Sequence, residues 1–312
     1  MNEMLDTFFR DRDAANLFQQ RQRDIEQIIR REQERCRKKA GLQAESILEG
    51  KAAEKWQVLG QLLTANYYQI KQGTEAIVTD LYDPDEKTVV IPMDPRFSPM
   101  ENAQIYFKRY RKARQTAEKA QIFYEETMNE LAYLESLTFS LTTVRSTGEL
   151  SEIREELTEA GYAKSADRDR RSAGRRGKKT PAKSENPQIA GFQYRGFTIL
   201  FGANNRQNDY LNMKIAKSGD LWFHAQNIPS SHVVVRNPEN KTIPDDVIEA
   251  AAKLCLWHSQ AKSAGRAAID YAPRQNIWKP KGARPGMMLY EQYQTVFVSV
   301  EEEEIARILN GG

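Results

Sequence analysis

The sequence predicts an α+β protein: a long antiparallel helical coiled-coil arm with a small β insert, followed by a compact α+β domain. Three observations predict it. Residues 11–72 are dominated by Arg, Lys, Glu, Gln and Ala with spaced apolar residues and no Pro, the composition of long helix. A second helical stretch has an apolar repeat that alternates spacings of four and three. From residue 188 the composition turns globular, with short apolar strands between Gly, Pro and Asn turns. These limits place the arm at 1–163 with its insert near 74–92, a basic linker at 164–187 and the globular domain at 188–312.

In the first helical region Phe18, Ile25, Ile29, Cys36 and Ala40 trace an imperfect apolar stripe. Gly41, Gly50 and Gly60 each cost a helix about 1 kcal/mol relative to Ala, so a bend or break is expected there. The second region carries Tyr106, Tyr110, Ala113, Ala117, Ala120, Tyr124, Thr127, Leu131, Leu134, Thr138 and Leu141, which is a coiled-coil seam. Its central alanines admit a close neighbour, and the first region folding back antiparallel is the natural one. The chain is then mainly a monomer with an intramolecular coiled coil, a homodimer being the alternative. Between the helices, residues 74–82 and 87–93 read as two short strands around a turn at Asp83, Pro84, Asp85 and Glu86. Ser98 with Glu101 has the capping-box spacing and marks the start of the second helix. A short helical segment follows at 148–160.

Residues 164–186 hold no large apolar residue and set Arg168, Arg170, Arg171, Arg175, Arg176, Lys178, Lys179 and Lys183 against Asp167, Asp169 and Glu185. Such a run reads as a disordered tether whose charge can also engage phosphates. In the globular region, residues 192–202 read as a strand pair or one bent strand and 208–216 as a short helix. Residues 221–224 and 232–236 read as strands and 244–263 as a helix. Residues 267–271, then 287–290 with 295–300, are expected to close an antiparallel sheet, with Glu291 and Gln292 in a hairpin turn.

Composition narrows the function classes. The chain has 312 residues, 29% charged, with net charge +3 and mean hydropathy −0.70. No stretch approaches the roughly 18 apolar residues of a membrane span. Glu3 and Asp6 stand where a signal peptide is basic, so a cytoplasmic location is expected. Cys36 and Cys255 lie far apart in unrelated contexts, which fits a reducing compartment. Cys255 and His258 form one i, i+3 pair without a second, so neither a metal nor a cofactor is expected. Ser230 and Ser231 beside His232 make a poor nucleophile–base pair, because strand neighbours point to opposite faces. No phosphate-binding glycine loop appears, and no enzyme activity is expected.

A nucleic-acid reading fits better. Arg206, Lys214, Lys217, Arg236, Lys262, Arg266, Arg274, Lys279, Lys281 and Arg284 supply cations for phosphates. Tyr210, Trp222, Phe223, His224, Tyr271 and Trp278 offer rings for unpaired bases, although Trp222 and Phe223 alternate in a strand and one of them must face the core. Asn204, Asn205, Gln207 and Asn208 add neutral donors and acceptors for RNA, and Ser231 and His232 are counted with them as RNA-binding residues. Glu301, Glu302, Glu303 and Glu304 oppose phosphate and read as a solvated helix start.

At these residues the chain resembles the NFACT family, also called fibronectin-binding protein A-like proteins. Residues 204–209, 220–224, 229–233 and 279–286 resemble its RNA-binding NFACT-R domain, and residues 60–68 and 98–110 its coiled-coil middle region. The resemblance implies a scaffold in ribosome-associated quality control. The same resemblance implies the large ribosomal subunit, rRNA and tRNA as partners, and support of C-terminal tailing, with alanine in bacteria, of chains stalled as peptidyl-tRNA. The family's NFACT-N domain with its Asp-Arg motif is not seen, and Asp11-Arg12 is not that motif, so a fragment or split product is expected. The alternative within the family is a fibronectin-binding surface adhesin.

Overall fold

The computed structural model describes the backbone of residues 2–80, 87–164 and 187–310, and side chains from residue 12 onward. The Asp83–Glu86 turn, the basic segment 165–186 and the side chain of Asp11 lie outside the described residues. The chain divides into two compact units. One is Glu34–Leu131, and the other combines Met1–Gln33 with Ala132–Gly312.

Helix α1 (Asn2–Ala52) runs through Gly41 and Gly50 without interruption, and α2 (Glu54–Ala65) contains Gly60. The expected break falls at Ala53, and the helices end at Ala65 rather than near 72. Two of the three glycines serve close packing. A Cβ at Gly50 would stand 2.1 Å from the Ala117 Cβ, and one at Gly60 would stand 2.8 Å from the Phe107 ring. Helix propensity is given up there so that the neighbouring helix can approach with Ala117 at one site and the Phe107 ring at the other, a stronger effect than the local preference.

In the Glu34–Leu131 unit, β1 (Glu75–Thr79) and β2 (Thr88–Pro92) form an antiparallel pair, with Glu75 opposite Pro92 and Thr79 opposite Thr88. Ala76, Val78 and Ile91 turn inward with Leu62, Leu63 and Tyr106, and the Tyr106 hydroxyl donates to the Pro92 carbonyl at 2.6 Å. Helix α3 (Pro99–Thr143) starts where expected: the Ser98 backbone N–H donates to Glu101 Oε2 at 2.8 Å. Along it Tyr106, Ala120, Thr127 and Leu131 are buried, and Tyr110, Ala113, Ala117 and Tyr124 are half-buried. Their neighbours on the far face are exposed.

In the other unit the same seam continues through Leu134 and Leu141, both buried. Gln22 donates to the Leu141 carbonyl and Gln33 to Thr138 Oγ1, each at 3.0 Å. Within each unit, later residues of the first helical region meet earlier residues of α3, so the helices pair antiparallel inside one chain. Tyr133 and Leu137 are buried as well, off the seam, because α3 is enclosed here on a second side. Part of that enclosure is α4 (Thr147–Glu159), which opens on a Ser146–Glu149 capping box and buries Leu150, Ile153, Glu156 and Leu157.

The α+β head is a six-stranded antiparallel sheet in the order β10 (Gln294–Ser299), β7 (Arg266–Pro273), β5 (Leu221–Ala225), β6 (Val233–Arg236), β4 (Phe197–Phe201) and β3 (Ala190–Tyr194). Strands β3 (Ala190–Tyr194) and β4 (Phe197–Phe201) form a hairpin whose turn residues, Arg195 and Gly196, both have positive φ, as a two-residue turn between twisted strands requires. Next come α5 (Asn205–Tyr210), a π-helical turn (Leu211–Ile215), β5 (Leu221–Ala225), β6 (Val233–Arg236) and α6 (Asp245–Trp257). Then follow β7 (Arg266–Pro273), β8 (Ile277–Trp278), β9 (Leu289–Tyr290), β10 (Gln294–Ser299) and α7 (Glu302–Leu309). The inner sheet face packs Phe223, Val233, Val235 and Ile269 against α6 and Ile305 and Ile308 of α7. At roughly 1.5–3 kcal/mol for each large apolar side chain removed from water, this layer supplies most of the head's stability.

Three expectations change. The short helix begins at Asn205, before 208, because the Asn204 side chain caps it. The helix expected over 244–263 stops at Trp257; His258 and Ser259 divide it from a 3₁₀ turn at Gln260–Ala264. Residues 287–290 do not pair with 295–300: β9 pairs with β8 in a separate two-stranded sheet, while β10 pairs with β7. Tyr290 explains the last change, since its hydroxyl donates to Asp270 Oδ2 at 2.8 Å and its ring packs on Trp222. Gln292, at φ 50°, then turns the chain toward β10. Glu301 caps α7 with Glu304, as the acidic run suggested.

Candidate nucleic-acid interface

The amide-rich motif at 204–209 is folded into the protein. Asn204 accepts from the Gln207 N–H through Oδ1 and donates to Glu152 Oε2 at 2.7 Å. Asn205 donates to Ser136 Oγ at 2.9 Å and Glu156 Oε1 at 3.1 Å. Gln207 accepts from the Ala203 N–H, and Asn208 from the His232 N–H at 3.0 Å. All four amides are buried. Buried polar groups are stable only when paired, and pairing here fastens α5 to α3 and α4. Tyr210 is half-buried beside them.

The basic residues separate into two groups. Arg206 bridges Glu155 at 3.0 Å and Glu159 at 2.7 Å; burial works against its charge, and the two carboxylates more than offset this. Arg284 lies over the rings of Tyr133 and Tyr162, 5.6 and 5.3 Å from their centroids. Lys279 pairs with Asp209, which also accepts from the Gly286 N–H at 2.9 Å. A Cβ at Gly286 would come within 2.5 Å of the Asn205 Oδ1, and its φ is +77°, so only glycine seats the 279–286 loop against α5. Arg274 donates to the Asn212 and Ile277 carbonyls, at 2.8 and 2.6 Å. Lys214 and Lys281 are exposed, as are Lys217, Lys262 and Arg266.

The ring residues form a layered cluster on the outer sheet face. Trp222, 1% exposed, stacks with His224 at 5.7 Å, meets His232 edge-on at 5.3 Å and packs against the tilted ring of Tyr290 at 5.0 Å. Burial pushes His224 down to about 4 against the opposing pull of Asp270. It also pushes His232 well below its ordinary value, with His224 adding to the effect, so both imidazoles are neutral at pH 7. Ser231 is buried, and its backbone N–H donates to the His258 carbonyl. Burial likewise raises the Cys255 thiol to about 12, which makes it inert. His258 stacks on Phe201. Among the described residues no group of three or more His, Cys, Asp or Glu is placed to hold a metal ion, and no helix is long and apolar enough to cross a membrane.

The partners of the motif were not visible in the sequence. Glu152, Glu155, Glu156 and Glu159 lie in the segment 148–160, which read there only as a short helix. Glu156 is 1% exposed, receives the Tyr133 hydroxyl at 2.9 Å, and burial raises its carboxyl to about 7. Asp270 is the second such centre, engaged by Tyr290, Thr295 and Gln226. The spacing of four acids over eight residues in α4 was the one available signal.

Antiparallel paired helices, with an α+β domain fastened to α3 and α4 through a buried polar network and presenting exposed lysines, define the class of protein. The chain belongs to the NFACT family. The family model described as NFACT N-terminal and middle domains matches residues 1–176, and that described as the NFACT protein RNA binding domain matches residues 190–291. The chain is 33% identical over 99% of its length to the Rqc2 homolog RqcH of Bacillus subtilis and 32% identical over 98% to that of Streptococcus suis. It spans about half of these relatives, 52% and 53%. A solved structure of the C-terminal of the fibronectin/fibrinogen-binding protein from Streptococcus suis is similar, with TM-score 0.67 and 29% identity, covering 93% of this chain and 98% of that one.

Proposed function

We propose that this chain acts in ribosome-associated quality control as a non-catalytic, cytoplasmic RNA-binding scaffold. Its head and helices engage rRNA and tRNA on large ribosomal subunits obstructed by peptidyl-tRNA, and this supports C-terminal alanine tailing of the stalled chain, peptide transfer being left to the ribosome. The observation that carries the reading is the identity to Rqc2 homologs across 99% of this chain, joined to an RNA-binding family model over the head. The exposed Lys214, Lys217 and Lys281 suit phosphate contact, while the buried amides of 204–208 hold the head's first helix to α3 and α4 so that those lysines are presented on a fixed frame.

Co-sedimentation with purified large subunits, with and without peptidyl-tRNA and at two salt concentrations, tests this. The expected result is binding that strengthens with peptidyl-tRNA and weakens steeply with salt, since each phosphate contact releases counterions. Absence of binding at low salt contradicts it. A second reading, fibronectin binding, is favoured by the description of the similar Streptococcus suis structure; it predicts binding to immobilised fibronectin and none to subunits.

A further inference from the structure

The outer sheet face of the head is covered unevenly. Over β4, β5 and β6 it carries Leu200, Trp222 and Val234, packed under Leu211, Ile277 and Tyr290. Over β10 and the first residues of β7 it is open. Phe297 is 82% exposed, and Thr295, Ser299 and Arg266 are exposed around it. The register places Phe297 opposite Ala268, Ser299 opposite Arg266 and Thr295 opposite Asp270, so these side chains share one face. A methyl is all that stands across from the Phe297 ring.

Two further observations fix the chemistry of what belongs there. The aromatic layer climbs from the core to this edge: Trp222 meets Tyr290 at 5.0 Å, and Tyr290 meets Tyr293 at 5.1 Å, with Tyr293 47% exposed. Arg266 forms no ion pair among the described residues. The nearest buried carboxylate on that face, Asp270, already receives Tyr290, Thr295 and Gln226. An uncovered ring on a sheet, one strand from an unpaired guanidinium, matches a base with its phosphate. The RNA-binding family model ends at residue 291, so β10 lies beyond what that match assigns.

We propose that the β7–β10 edge of the outer face is a subsite for an unpaired nucleotide of single-stranded RNA, its base stacked on Phe297 and its phosphate held by Arg266. The proposal rests on the RNA-binding reading above. The test measures binding of a labelled oligouridylate and a labelled RNA duplex by fluorescence anisotropy at fixed low salt, using the full chain and its Phe297→Ala, Phe297→Trp and Arg266→Ala variants. Phe297→Ala weakens oligouridylate binding about 5- to 150-fold, the range for one lost base–aromatic stack. Duplex binding is unchanged and Phe297→Trp restores affinity. Arg266→Ala lowers the single-strand salt slope by about 0.7. If the parent chain binds oligouridylate and Phe297→Ala binds it equally well, the subsite is overturned while RNA binding stands. The same holds if Phe297→Ala instead abolishes self-association or capture of a β-strand peptide, which would make the β10 edge a strand-pairing surface. If the parent chain binds neither RNA, both the subsite and the RNA-binding reading fall.

Discussion

The seam of α3 and the motif that opens α5 bury themselves by opposite means. Along α3, Leu131, Leu134 and Leu141 are buried by an apolar repeat, and each contributes without needing a particular partner atom. At α5, Asn204, Asn205, Gln207 and Asn208 are just as buried, yet every one depends on a named donor or acceptor. The hydrophobic term is non-directional and tolerant. The polar one is directional and fails when a single partner is lost. The difference teaches that a cluster of amides and cations in a sequence marks specificity of contact, and that the contact can be with the protein itself.

The largest expected effect breaks the apolar side of that comparison. Leu134→Ala removes a fully buried side chain of the seam and costs about 2–5 kcal/mol, read by denaturant unfolding. Next, Asn205→Ala removes the amide donor to Ser136 Oγ and to Glu156 Oε1, leaving Glu156 with the Tyr133 hydroxyl, and costs about 1–3 kcal/mol, despite removing almost no apolar surface. If it costs nothing, the polar network is ornamental. Gly50→Ala sharpens the packing claim: its new Cβ meets Ala117 at 2.1 Å, an overpacking loss of about 1–3 kcal/mol. Adding Ala117→Gly in the same chain should recover much of it.

The pH dependence separates the two kinds of burial further. Glu156 ionises near 4.5 when unfolded and at about 7 when folded. The folded state therefore holds its proton more tightly, and the stability this supplies is complete below 4.5 and lost as pH rises to about 7. Glu156→Gln removes that dependence. The variant is expected to be more stable than the parent at pH 8, by about 1–3 kcal/mol, with the difference shrinking toward pH 4.5. The thermal midpoints of both proteins across that range check it, and an unchanged difference contradicts it.

Much of the helical architecture was legible because its signals repeat. The four–three spacing from Tyr106 to Leu141, the Ser98–Glu101 box and the acidic start at Glu301 are local, and each was realised. Gly50 was misjudged because helix propensity is local and the approach of Ala117 is not. The 204–209 motif was legible as important, but its partners on α4 lie about 50 residues away in the chain, as Asn204 and Glu152 show. No periodicity connects them. The course of the chain after β9 was missed for the same reason: it follows Tyr290 reaching Asp270 across 20 residues. Local turn signals at 291–292 pointed to a simple hairpin.

The smallest expected effect on stability is also the most informative about function. Lys214→Ala with Lys281→Ala touches exposed side chains and should shift stability by about 0.5 kcal/mol or less. The decisive measurement is the salt dependence of large-subunit binding for this double variant beside Asn205→Ala, each at matched folded fraction. The account predicts that the lysine variant loses about one unit of log–log salt slope per phosphate contact removed, whereas Asn205→Ala keeps the parent slope and loses only stability. A lysine variant with the parent slope, or an Asn205→Ala variant that is fully stable but no longer binds, would contradict it.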